Sequence, residues 1–535
     1  MALRRLISSL LKISFLPAHL LFAVAACGQA TEPAQAHLGK VNFPTSCSAE
    51  VQPVIENSVA LLHSFQYEAA RQTFAEVETR DRKCAMAHWG KAMTFYEQLW
   101  DFPDEKKLKE GHAEIEQARK LHPKTTREQD FLTAAAAFYQ KNSKLSHSER
   151  TKAYSAALEK LHAQSPDDAE FGAFYALSLV ALAEEEVDSL ENQKKAIATL
   201  DPLFQRYPDH PGVAHYLIHA ADRPELASQG LAAARRYAAI APDSAHALHM
   251  PSHIFARLGL WQDSIASNIA ASAAAARAAE MHKAESHYQT HAMDFLNYSY
   301  LQSGQEAKAR EVIEHMNHVM GANDETRANH RAYLAARTAL ELHRWKEAAS
   351  LSIPGVGKDW QDSTQWANAI GAARSGNVAA AESAVKELTK SVEEREKRAR
   401  KSGYDVSKEK ATDLREAEAW LAFAQGKTEE ALQELRAAVE HQEKNGGESV
   451  IIPAREMLAD MLMELKRPSD ALAEYKTVLK NAPNRFDALL GAGRAAQASG
   501  DISGAQAFYA KLTEECPAGA DRPELAEAKT VLAQK

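Results

Sequence analysis

Strand signals are scarce along these 535 residues: alternating runs of Val, Ile, Thr or aromatics bounded by turn pairs are few, and only 7% of the residues are aromatic. Glycine and proline are modest too, at 23 and 19, which leaves little support for a β or mixed fold. The apolar stretch from Ile13 to Ala26 is too short to cross a membrane comfortably. Familiar catalytic signatures are also absent. No His-Glu-x-x-His, no Gly-x-Ser-x-Gly and no glycine-rich dinucleotide fingerprint behind a strand occurs. Gly426-Lys427-Thr428 would need a glycine where Leu421 stands, so it is not a phosphate loop.

What is present is alanine throughout, with apolar residues recurring at i, i+3, i+4 and i+7 over most of the length, which predicts an all-α chain. Arg4, Arg5 and Lys12 precede the Ile13–Ala26 stretch, giving residues 1–26 the layout of a signal peptide. Removing those three leaves 60 basic against 72 acidic residues, a formal net of −12 that should repel nucleic acid. Beyond the signal peptide and Cys27, cysteine is limited to Cys47, Cys84 and Cys516. In an oxidising compartment Cys47 and Cys84, which bracket the first expected helix pair, are the natural disulfide, with Cys516 left over.

Pro208 in Arg206-Tyr207-Pro208-Asp209 and Pro242 in Ile240-Ala241-Pro242-Asp243 lie 34 residues apart, each closing one helical pair. The second unit continues through Leu258-Gly259-Leu260-Trp261, a turn in which glycine permits the bend and the aromatic wedges between helices. Related units start near Phe65, Ser303, His343, Gln425 and Lys466, and a last one runs through Gly500-Asp501. This pattern resembles the tetratricopeptide repeat family, and the resemblance implies a helical-repeat solenoid with a concave groove. The sequence divides as residues 1–26 signal peptide, 27–50 linker, 51–352 N-terminal repeats, 365–445 middle repeats and 453–535 C-terminal repeats. The charged run Ser391 to Lys410 reads as a solvated helix and loop, and Trp89, Phe95, Tyr96 and Trp100 as core.

Val24-Ala25-Ala26-Cys27 looks like a bacterial lipobox, which makes Cys27 the candidate lipidation site, with cleavage after Ala34-Gln35-Ala36 as the alternative. Gly28 in place of an aspartate resembles lipoproteins sent to the outer membrane. The segments Cys84–Gly90 and His246–Phe255 likewise resemble those of bacterial envelope repeat lipoproteins. The expected location is thus the periplasmic side of the outer membrane, with soluble periplasm as the alternative and lipid as the only membrane contact.

Histidine is the unusual residue. Eight of 22 fall between His215 and His291, and three pairs have i, i+4 spacing: His215/His219, His249/His253 and His287/His291. Each pair therefore shares one face of one helix. The first two are offset by the repeat length, so they should stack side by side, with His246 one turn before the second pair. Asp222 and Asp294 each follow the second histidine of a pair by three residues and are placed to orient an imidazole. Pro251 between the second pair should kink its helix.

Two functions from different classes follow. In one, His215, His219, Asp222, His246, His249, His253, His287, His291 and Asp294 line a concave groove that binds a protein segment, peptide or small ligand, with no cofactor and no catalytic role. In the other, His215, His219, His249 and His253 hold a transition metal, in a carrier or a metal-dependent enzyme, with His246, His287 and His291 as further ligands. A purely structural envelope spacer is the third reading.

Overall fold

The computed structural model describes residues 37–99, 102–140, 145–183, 189–280, 286–401, 409–446 and 449–534, and among these every regular element is a helix. Residues 1–26, read from the sequence as a signal peptide, and Cys27 lie outside the described residues. The helices follow one another in antiparallel pairs, and the two members of a pair have different sequences because they meet different surroundings. Outer helices are amphipathic. Tyr67–Arg80 buries Ala70, Phe74 and Val77 at i, i+4 and i+7 and leaves its charges to water. Inner helices are apolar on nearly every side, as in Ala169–Ala183, where all residues but the first are buried.

Inner helices pack against inner helices of the next pair, as Ala169–Ala183 does on Pro211–Ala220 and Asp324–Glu341 on Gln361–Arg374. The ribbon also meets itself over long sequence distances. Gln52–His63 packs on Pro211–Ala220, and His287–Gln302 on Phe486–Ala498. Gly212 makes the first closure possible, since a Cβ there would lie 2.4 Å from the His63 ring. The second rests on the Gly259 turn, whose φ of +65° suits glycine and whose missing side chain admits the Pro483 carbonyl. Trp261 Nε1 then donates to the Asn484 carbonyl at 2.8 Å. No described helix is long and apolar enough to cross a membrane.

Residues 37–50 are not the loose linker expected. Leu38 and Phe43 are buried, and Phe43 stacks on Trp89 with centroids 5.1 Å apart. An apolar face on the first inner helices needs a cover, and the preceding chain supplies it. Cys47 and Cys84 are joined by a disulfide, the pairing read from the sequence. Trp89, Phe95 and Tyr96 are core residues, while Trp100 lies outside the described residues. Pro251 divides its helix into Ala245–His249 and Pro251–Arg257, and Ser267 of the following helix donates to the Leu248 carbonyl at the break.

Candidate metal centre

Four consecutive inner helices bring six histidines together in two groups of three. Pro211–Ala220 supplies His215 and His219, and its first turn is fixed by Pro211 and by His210 Nδ1, which accepts the Val213 N–H at 3.2 Å. Ala245–His249, capped by Ser244, supplies His246 and His249; Pro251–Arg257 supplies His253, and His287–Gln302 supplies His291. The sets are His215, His219, His246 and His249, His253, His291, each with its ligand atoms within 4.8 Å of one another. In the first, His215 Nε2 stands 2.9 Å from His246 Nε2 and 3.1 Å from His219 Nε2. In the second, His249 Nε2 and His253 Nε2 are 3.1 Å apart.

The other ring nitrogens decide what these short contacts mean. His215 Nδ1 lies 2.6 Å from the His63 carbonyl, which accepts only, so the proton is on Nδ1 and Nε2 is bare. Asn268 donates its amide to the Ser264 carbonyl at 2.8 Å, which turns its oxygen toward His249 Nδ1 at 2.7 Å and again leaves Nε2 bare. His253 Nδ1 donates to Asp222 Oδ2 at 2.8 Å, and Asp222 is held in turn by Arg257 Nε at 2.8 Å. Two lone pairs therefore face each other between His249 and His253. A cation is what relieves that repulsion. A proton on His253 would serve the second group, but His215 Nε2 has two close nitrogens and can accept a hydrogen bond from one of them only. With metal–nitrogen bonds of about 2.0 to 2.1 Å, nitrogens of one coordination sphere lie about 2.9 to 3.4 Å apart for right-angled to tetrahedral arrangements, which covers all three contacts.

The electrostatics favour neutral ligands. Burial first, and the neighbouring imidazoles second, hold His215, His246 and His249 well below the usual histidine pKa. The same causes lower His219 and His291 to about 3. His291 is exposed at the surface, yet the atoms packed around its ring desolvate it. Asp222 stays ionised: burial works against its charge, but Arg257 and then His253 pull its pKa far below the carboxylate range. Each group also has an aromatic floor. Phe65 lies 4.4 Å from the His215 ring and 5.5 Å from His219, and Phe295 lies 4.8, 4.5 and 5.3 Å from His249, His253 and His291.

Two other acidic or histidine clusters differ in kind. His63 and His210 both present Nε2 to Glu170, at 2.8 and 2.9 Å, while their Nδ1 atoms are taken by the Tyr216 hydroxyl and the Val213 amide. Every nitrogen there already has a complementary partner, so nothing is left for a metal. Burial works against the charge of Glu170, but the electrostatic attraction of His63 and His210, and after it the hydrogen bonds from their Nε2 atoms, holds its carboxyl below the usual range. Glu341, Glu456 and Asp487 are answered by Arg485 and Arg522.

Several expectations need correction. His215, His246 and His249 do not line an open groove: they are at most 3% exposed, because the ribbon winds tightly enough for inner helices to cover one another. Pairs at the repeat offset do neighbour each other, with His219 and His253 centroids 6.5 Å apart, but the shortest contact of His215 with another imidazole is to His246, at 2.9 Å. His287 is exposed against Tyr288 and joins neither group. Asp294 pairs with Arg337 at 2.6 Å and touches no imidazole, whereas Asp222 does so as expected. His63, which has no sequence link to the cluster, reaches it through its carbonyl at a helix end. Phe65 reaches it through long-range winding, and Asn268 carries no motif that marks it.

The tetratricopeptide repeat family model matches residues 462–533. No curated protein matches the chain. Among solved structures, a tetratricopeptide repeat protein from Parabacteroides merdae is 14% identical, covering 54% of this chain and 97% of its own, with a TM-score of 0.30. A human IFIT1 dimer with PPP-AAAA is 12% identical, covering 86% of this chain and 89% of its own, with a TM-score of 0.36.

Proposed function

We propose that this all-α tetratricopeptide-repeat chain is a transition-metal-binding protein, with one metal held by His215, His219 and His246 and another by His249, His253 and His291. The observation that carries this reading is His215 Nε2, which lies 2.9 Å from His246 Nε2 and 3.1 Å from His219 Nε2 while the ring's proton is committed to the His63 carbonyl, and the 3.1 Å approach of His249 Nε2 to His253 Nε2 repeats the pattern. The pattern of an imidazole held by a carboxylate or amide on one side and bare on the other is how proteins prepare metal ligands. Neutral nitrogen donors suit zinc, copper, nickel or iron. Three protein ligands per ion, rather than four, leave a coordination position open, as in sites that do chemistry or hand metal on.

The disulfide between Cys47 and Cys84 supports an oxidising compartment. With the signal-peptide layout of residues 1–26, we extend the proposal to a periplasmic location, anchored by lipid on Cys27. Mass spectrometry of the mature N-terminus tests it, and an unlipidated cysteine or a start after Ala36 would remove the anchor.

Metal analysis of tag-free protein, with zinc and copper titrations of chelator-treated protein, tests the main reading. Near-stoichiometric transition metal that falls when His249 and His253 are replaced by alanine is the expected result. Protein that takes up neither metal and melts at an unchanged temperature in their presence would refute it.

A further inference from the structure

We infer that the two histidine triads form one dinuclear centre whose metals share a small anionic ligand, hydroxide in water. This rests on the metal reading above and names the ligand class of the same site.

The first ground is proximity. His246 and His249 stand one turn apart at the end of one helix with ring centroids 6.4 Å apart, and His219 faces His253 across two helices at 6.5 Å. The second is that the groups are wired into each other. Asp222 follows His219 by three residues, just past the end of the helix that carries two members of the first triad, yet it holds Nδ1 of His253 in the second. Moving one triad moves a support of the other.

The third ground is charge. All six ligands are imidazoles, so the protein offers two divalent ions no negative charge in either first coordination sphere. The carboxylate that touches a ligand ring, Asp222, is already answered by Arg257. Cations taken out of water need compensation, and their mutual repulsion grows as the dielectric falls. An anion between them offsets both, and the open position left by each set of three ligands is where it binds. Only a small one fits, because His215, His246 and His249 are buried, while His291 gives the second group its contact with solvent.

The test uses the full-length protein, copper(II) alone as the metal, and azide as the anion. Copper content is compared with the intensity of the electron paramagnetic resonance signal, because strong spin coupling requires a ligand shared by both ions. The expected result is two coppers per chain with a signal far below the copper content, and loss of the residual signal on adding azide. The H215A/H246A and H249A/H291A variants should each retain one copper with its full signal. Two coppers that stay fully visible with and without azide would overturn the shared ligand while leaving the metal reading intact. Failure of the wild-type protein to take up copper would overturn both.

Discussion

A histidine ring has two nitrogens, and the partner of one decides what the other can offer. His63 and His210 donate from Nε2 and accept at Nδ1, so they close a hydrogen-bond network around Glu170. His215, His249 and His253 donate from Nδ1 and keep Nε2 bare. Residue type is the same in both clusters, and the difference lies in whether a donor or an acceptor faces Nδ1. Asn268 is the clearest case, because its own bond to Ser264 prevents it from turning over. Replacing Asn268 with Ala should therefore weaken metal binding at the second group about 10- to 100-fold. Helical content should hold and the first group should bind as before. Competition with a chelator of known affinity measures this, and unchanged affinity would show that the amide does not set the tautomer. The i, i+4 pairs were legible in the sequence because helical spacing alone dictates them. Asn268, nineteen residues from His249, was not, because its place depends on how two helices pack.

Helices here carry two kinds of information, and only one is local. The break at Pro251 was legible, since proline removes a backbone donor wherever it sits. Its use was not: it sets a break between His249 and His253, where the Leu248 carbonyl accepts from Ser267 of the next helix. Pro251→Ala should straighten the segment, leaving the melting temperature equal or higher while metal affinity falls, as calorimetry and titration would show; a lower melting temperature with unchanged affinity would argue against this role. At the far end of the ribbon, Thr125 and Glu128 form a capping box, and Glu128 also accepts from the amide and hydroxyl of Ser46. Burial pushes the Glu128 carboxyl up, but these hydrogen bonds, from Ser46 first, bring it below its ordinary value. A carboxylate depressed on folding contributes stability above its unfolded pKa and loses it as pH falls through the folded value. Glu128→Gln should thus cost about 1 to 3 kcal/mol near neutrality. That difference should shrink as pH drops below about 4.5, where the unfolded carboxyl protonates. Denaturant melts at several pH values check the trend, and a gap that stays constant down to acid pH would contradict it.

Across the whole chain, repeat length and helix order could be read from turn spacing, but the places where the ribbon meets itself could not. No periodicity announces that Gly259 will face Pro483, or that the end of the first helix will lend a carbonyl to His215. Such contacts follow from the sum of small rotations between repeats. The C-terminal closure depends on Arg485, fully buried, whose guanidinium binds Glu456 twice at 2.7 Å, Glu341 at 2.8 Å and the Tyr298 hydroxyl at 2.7 Å. Three carboxyls, with Asp487, meet two guanidiniums, and burial raises both Glu456 and Glu341 above the usual carboxylate range. Arg485→Met removes one partner and leaves acids buried without a countercharge, which costs about 3 to 5 kcal/mol. Limited proteolysis should then cut first beyond residue 449 while both metals remain bound. Loss of metal before any such cut would mean that the centre depends on the closure. The central claim is that two metals sit where six imidazoles converge, and anomalous diffraction from crystals of copper-loaded protein tests it most directly. The account predicts two peaks, each about 2.0 to 2.1 Å from Nε2 of His215, His219 and His246 or of His249, His253 and His291; ordered rings with no peak between them, or copper bound only elsewhere, would contradict it.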